Sequence, residues 1–546
     1  MIRAGLLALL WGSGVAFAAT ADEIRTCLDA NDVPCAQAVV VRDNARASRD
    51  GAVLAAAAQT AFHDGAYADA AALMDRAVAA GWPDRWKEAP VYRSTAETMA
   101  EWAEEVRGRH VVRYRPGVDA ILVDEAVDVL ERVEKNVAPI LGGNTPGRII
   151  VELYPDGRSF TACSSLPDEA VSGNGVVGLS KWSRLLVTSP RALGRGYGWR
   201  DTIAHEYIHL IVSHQTGDRA PVWLQEGIAK YLDSRWPDGR EHHRLGVREQ
   251  TLLASALREE AEGLDESKDL DGTTGLVPFK AMHPSLALLP NPSMATLAYA
   301  QLSMLVRFAV ESGGDDTLRE TLKAVRAGND PQVALAAAAG FSSFEALDKA
   351  WRVWLKKQAL APADRLPGAL PTVLDGGDES AMDPVLAERA DLLRWMRLGD
   401  LLADRGHPAA ALVEYNRAID PEEPASPTLS NRVARAKLAL GDARGAIAAI
   451  RGSLLDYPEF ADSHRTLGRI HLSLDDKAAA LQSFRRAADL DPFDPSVQQA
   501  LIDLERAVGD ATAAARHEAA LRVLRRGGPD PDRITYLRPR AVEPSR

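Results

Sequence analysis

The residues best placed to do chemistry lie between Asp201 and Asp233, in DTIAHEYIHLIVSHQTGDRAPVWLQEGIAKYLD. Within it, His205-Glu206-Tyr207-Ile208-His209 is an H-E-x-x-H. On a helix, residues four apart share one face about one turn apart, so both imidazoles can reach a single metal ion. Two histidines at this spacing suit zinc, which takes imidazole nitrogen at ~2.0–2.1 Å. Glu206, one step round from the first histidine, is placed to act on water at the metal rather than to bind it. Catalytic zinc keeps three protein ligands and one open position. Glu226, in Trp223-Leu224-Gln225-Glu226-Gly227, is the candidate third ligand. Gly217 and Pro221 supply a turn, and a second helix starting at Val222 would run back over the histidine pair.

The context makes a chance match a poor explanation. With 12 histidines in 546 residues, an accidental H-E-x-x-H has a probability of roughly 0.02. Ile203, Ile208, Leu210, Ile211 and Val212 make the helix apolar almost all round, hence buried, and two histidines with a glutamate inside a protein need partners. Asp201 and Asp233 are candidates for orienting the histidines from behind. His242 and His243 are expected to be exposed, because three ligands already complete the set.

The stretch resembles the gluzincin class of zinc metallopeptidases, in the peptidase-MA-like family. Trp223 to Ala229 is similar to the W-L-x-E-G-x-A helix that carries that class's third ligand. The resemblance extends over roughly 114–354, through YRPGVD, VELYPDG, GVVGLSKWSRLLVTSPRAL and GFSSFEALDKAW. It implies an α+β, zincin-like (thermolysin-like) catalytic domain with one zinc per chain and peptide-bond hydrolysis. It also implies a downstream tyrosine at the oxyanion, for which Tyr299 is the candidate. The G-x-M-E-N segment of the aminopeptidase branch is missing, which favours an endopeptidase.

The elements that must position these residues follow from pattern. HVVRYRP, RIIVELYP (148–155) and RLLVTS (184–189) read as strands, and Val123 to Leu141 as an amphipathic helix. An edge strand in such a fold can pair with an extended peptide, and 148–154 or 183–189 could serve. Helices are expected at about 246–262, 294–312, 315–327 and 342–359. The catalytic domain is assigned to 107–360.

Both flanks read as helical. Residues 19–106 form an N-terminal lobe with a tetratricopeptide-like pair at 51–82. After a Pro/Gly/acid-rich linker at 361–384, across which few contacts should pass, Gly406, Gly441, Asp475 and Gly509 recur at intervals of about 34. That is the tetratricopeptide period, giving repeats over 385–527 whose concave face suits a protein partner. Residues 528–546 read as a loose tail.

Residues 1–18, MIRAGLLALLWGSGVAFA, read as a signal peptide: Arg3, an apolar core, and an Ala16-Phe17-Ala18 cleavage site. The mature protein is therefore expected to be exported, periplasmic or extracellular, with no transmembrane segment. Cys27 and Cys35 could form a disulfide or be two small buried residues; Cys163 would be a free thiol. A net charge of -12 with no basic stripe argues against a nucleic-acid partner. The leading expectation is an exported zinc peptidase acting on a peptide or protein substrate. The alternative is a non-catalytic repeat scaffold with a structural zinc domain; a metal-dependent hydrolase of non-peptide substrates is a further rival.

Overall fold

The computed structural model describes residues 19–526, except 86, 165, 167–175, 262–274, 284, 287–288, 364–365, 369–382, 384, 387–388, 421–422 and 424. The expected signal peptide, the tail and most of the linker therefore lie outside the described residues.

The N-terminal lobe is helical. Its expected pair is seen as Gly51–His63 and Tyr67–Ala79. Ala55 to Ala58, Ala61, Ala70 and Ala77 are buried between helices, and small side chains are what permit that close approach. Cys27 and Cys35 are joined as a disulfide with Cα atoms 5.6 Å apart, and Cys163 is buried and free.

A five-stranded sheet follows, in the order β1-β2-β3-β5-β4. The strands are β1 (Ala103–Arg107), β2 (His110–Tyr114), β3 (Ile149–Tyr154), β4 (Gly178–Lys181) and β5 (Arg184–Thr188). β2, β3 and β5 run parallel, and β1 and β4 close the edges antiparallel. The expected cleft strands 148–154 and 183–189 are both interior. Every residue of β3 and β5 is buried, and each strand is paired on both sides, leaving no free edge. The edge beside the site helix is β4 instead. β1 falls largely within the range expected for the helical lobe; its mixed polar pattern, Ala-Glu-Glu-Val-Arg, is that of a solvated edge strand.

Beyond the sheet come helices Trp199–Thr216 and Val222–Leu232, then Val247–Ala261, Pro292–Gly313, Thr317–Arg326, Pro331–Ala338 and Phe344–Leu355. Pro331–Ala338 was not expected; its alanine-rich sequence carries little periodic signal. Pro292–Gly313 is long and apolar enough to cross a membrane by length and composition, the one such helix among the described residues. No such run was expected. The helix lies in the main core, with Leu297, Ala298, Leu302 and Leu305 all buried.

The C-terminal region forms four antiparallel helix pairs from Ala390 to Arg526. Gly406, Gly441, Asp475 and Gly509 all have φ between 55° and 82°. The recurring mark is thus the left-handed residue that ends the first helix of each pair, a position suited to glycine and tolerated by aspartate. The repeats are not separate from the sheet-bearing region. Phe493 and Leu524 belong to its main core cluster. The Tyr197 N–H donates to the Leu490 carbonyl at 3.1 Å, and Ala461 N–H to the Arg195 carbonyl at 3.1 Å. Gly196 (φ 70°) permits this approach: a Cβ there would lie 2.5 Å from the Leu490 oxygen.

Candidate metal centre

Helix Trp199–Thr216 carries the histidines and ends at Gly217, whose left-handed φ of 59° stops it. Pro221 opens the next helix, Val222–Leu232. Glycine after the candidate ligand lets the helices pack closely: a Cβ on Gly227 would sit 3.0 Å from Val306 and 3.1 Å from the Leu302 carbonyl. Helix Pro292–Gly313 thereby presses the ligand helix onto the histidines.

The three candidate ligands converge. His205 Nε2 and His209 Nε2 are 3.1 Å apart, and Glu226 Oε2 is 3.3 Å from each. Ligands at ~2.0–2.1 Å around a tetrahedral zinc lie about 3.3–3.4 Å from one another, so this triangle fits three corners of the tetrahedron. Glu226 Oε2 is buried and makes no hydrogen bond, an orphaned acceptor of the kind a cation satisfies. Among the described residues this is the group of histidine, cysteine and acidic side chains that could hold a metal.

The electrostatics match. Burial would lift the Glu226 carboxyl, but the two imidazoles outweigh it and hold the group far below its ordinary range. Burial would lower His205, yet the Asp233 and Glu226 carboxylates beside it push it up to about 10. Asp233 Oδ2 lies 3.6 Å from His205 Nδ1 and 3.5 Å from Lys230 Nζ, behind the imidazole. Asp201 is elsewhere: it accepts the Trp236 indole N–H at 2.7 Å, so the expected contact with a histidine is absent from its described bonds. It braces the helix start.

Glu206 points the other way, towards β4. It is buried, and the Ser180 N–H donates to it. A Cβ on Gly178 would fall 2.7 Å from Glu206 Oε1, so glycine makes room for the carboxylate under the strand. Burial raises the Glu206 pKa, against the pull of His209 and His205. Tyr299 is half-buried, and its phenol is raised well above its usual range by burial and then by the charges of Glu226 and Glu206. It therefore lies near the centre.

His242 is exposed and bonded to Asp238 at 2.8 Å. His243, expected to be exposed as well, is 3% exposed. It packs beside the Tyr231 ring, and burial holds it neutral with a pKa of about 4. Sequence reading also missed Gly178, Ser180 and Lys230. The hairpin GLSKWSRLLV was a visible signal, but four residues of strand are too few to show a period.

Residues 433–495 match the tetratricopeptide repeat family. The C-terminal region is a tetratricopeptide-repeat array. A comparison with curated proteins finds no match. Among solved structures, MamA shares 15% identity, covering 26% of this chain and 80% of its own, at a TM-score of 0.22. A thermophilic tetratricopeptide protein of Thermus thermophilus shares 21%, covering 27% and 97%, at 0.18. Native LTA4 hydrolase from yeast shares 13%, covering 77% of this chain and 66% of that one, at 0.29. At such TM-scores the overlap carries no weight, and the functional reading rests on the residues themselves.

Proposed function

We propose that the chain is an exported zinc metallopeptidase of the gluzincin type, with one zinc held by His205, His209 and Glu226. The observation that carries this is the 3.1–3.3 Å ligand triangle with Glu206 adjoining it under an edge strand. When bound there, zinc supplies Lewis acidity, polarising a carbonyl and lowering the pKa of water towards ~7. Glu206 accepts the proton of the attacking water at its carboxylate and hands it to the leaving amine. Its raised pKa suits both halves of that task. Tyr299 supplies an O–H towards the developing oxyanion. Asp233 holds His205 in the tautomer whose Nε2 is free for the metal. The outer edge of β4 pairs with an extended peptide by strand addition, favouring endopeptidase action.

Structural zinc sites close with four protein ligands; the described group has three, which favours the catalytic reading over a zinc-stabilised scaffold. The Cys27–Cys35 disulfide and the signal-like residues 1–18 support export. The repeats bind a protein partner or the substrate. The test is hydrolysis of an unstructured protein by the zinc-loaded chain, abolished by a chelator and restored by zinc at one equivalent. Zinc binding with no hydrolysis across a proteome-derived peptide set would defeat the proposal.

A further inference from the structure

A cavity of about 450 Å³ opens beside the metal centre, in the size range of ligand pockets. His209 and Gln225 line it on the metal side, Ser180 and Lys181 of β4 line another wall, and the N-terminal lobe roofs it. A peptide paired along β4 with its scissile bond at the metal would direct a neighbouring side chain into this space. The cavity thus joins the lobe, which the metal chemistry leaves without a role, to the substrate.

The roof is held by an ordered chain of hydrogen bonds. Ser183 Oγ donates to Asn31 Oδ1 at 2.9 Å, Asn31 Nδ2 to Ser213 Oγ at 2.7 Å, and Ser213 Oγ to Asp218 Oδ1 at 2.5 Å. Ser183 has given its proton away, so His63 Nδ1, 3.1 Å from it, must be the donor. His63 is kept neutral by burial, with a pKa of about 3. Asn31 lies in the loop closed by the Cys27–Cys35 disulfide. The same loop presents the Ala30 carbonyl to His214 Nδ1 at 2.9 Å. Lobe, hairpin and metal helix are therefore fixed relative to one another around the cavity.

The lining selects the ligand. Only Leu28, Trp182 and Leu210 of its sixteen residues are apolar, which disfavours an aliphatic guest. Asp29, Glu88 and Asp218 share the lining with Arg25 and Lys181, three acids against two bases; Arg25 is engaged by Asp22 at 3.2 Å and by the Trp82 ring, and Lys181 lies over the Trp182 ring. On the metal side Asp218 is raised by burial, against the hydrogen bond from Ser213, and further by the charge of Asp29. On the far side Glu88, bonded by Gln59 at 3.0 Å, is raised by burial. Carboxylates near one another at a partly desolvated surface, as Asp29 and Asp218 are, are relieved by a cation beside them.

We propose that this cavity is the pocket for a lysine or arginine side chain next to the scissile bond of the substrate. The proposal rests on the peptidase reading, and its test separates the two. Fluorescent decapeptides with blocked termini carry lysine, arginine, norleucine or glutamate at successive positions. Their affinities are measured by anisotropy on the zinc-loaded Glu206→Gln chain. At one position lysine and arginine should bind at least 10-fold more tightly than norleucine, and glutamate more weakly. Asp218→Asn should bring the lysine-to-norleucine ratio close to one. Asparagine tolerates the left-handed φ of 58° at this position, so that variant should fold, and Glu88→Gln gives an independent second reading. Equal affinities or an aliphatic preference would overturn the pocket. Wild-type cleavage without a basic preference would overturn the pocket but leave the peptidase. Lysine-selective binding without wild-type cleavage would do the reverse.

Discussion

Glu206→Gln separates the metal from the chemistry. The side chain is 7% exposed, accepts the Ser180 N–H and fits under Gly178 with no space to spare. Glutamine has the same shape and still offers an oxygen to Ser180, so the hairpin should stay in place. It cannot take a proton from water. General-base contributions run to 10²–10⁴-fold, so hydrolysis should fall by at least about 100-fold. The three candidate ligands are untouched, so zinc content should remain at one per chain. Stability should change little. The raised pKa of Glu206 means that folding disfavours its ionised form, and removing the charge relieves that cost; any change should lie within about 1 kcal/mol in either direction. The assay is hydrolysis of an unstructured protein followed by mass spectrometry, with elemental analysis and thermal unfolding on the same sample. Wild-type hydrolysis by Glu206→Gln would refute the mechanism whatever the metal content. Loss of zinc together with activity would show instead that Glu206 belongs to the metal shell.

Glu226→Ala removes one corner of the ligand triangle and should release zinc to a mild chelator that the wild type withstands; equal retention by elemental analysis would displace Glu226 from the ligand set. His243 is neutral when folded, with a pKa of about 4 against 6.5 when exposed. The unfolded chain therefore binds the extra proton between those values, and stability is lost as pH falls from about 6.5 to about 4, by up to roughly 3 kcal/mol. His243→Leu should flatten that part of a denaturant-based stability–pH curve, and an unchanged slope would count against the buried neutral imidazole. Phe493→Ala, in the repeats but packed into the main core, should destabilise the whole chain by about 3–5 kcal/mol in one shared transition; separate calorimetric transitions, only one of them shifted, would show that the two regions melt apart.

The candidate ligand triangle was legible because its members stand in local spacing: two histidines one turn apart, and a glutamate on the returning helix after Gly217 and Pro221. The repeat period was legible for a similar reason, since each mark is a single left-handed residue whose identity reports its backbone. What could not be read is non-local. β3 and β5 are as apolar as cleft strands would need to be, but which strand lies at the edge depends on pairing, and β4 is only four residues long. Asp201 and Asp233 look alike in sequence; only the crossing of the two helices sets Asp233 behind His205 and Asp201 against Trp236. Cys27 and Cys35 could have been bridged or merely buried until the ends of two helices brought their Cα atoms to 5.6 Å. The docking of the repeats left no trace except Gly196, whose need for a bare Cα is apparent only beside Leu490.

These non-local contacts share a consequence for the centre. A catalytic constellation has to be held to within about 0.5 Å to work, and the helix carrying His205, Glu206 and His209 is gripped by parts of the chain that hold none of those groups. At its start, Arg200 pairs with Asp489 of the repeats, and the neighbouring Tyr197 N–H is bound by Leu490. In its last turns, Ser213 and His214 are bound by Asn31 and Ala30 of the disulfide loop. Along its side, β4 bears on Glu206 through Ser180. Rotation of the helix about its axis would swing both histidines away from Glu226, and these contacts oppose that rotation at both ends and along one flank. The helical lobes are therefore mechanical supports of the candidate metal centre. A partner that shifted the 489–490 corner of the repeats would act on the histidines through the first turn of their own helix.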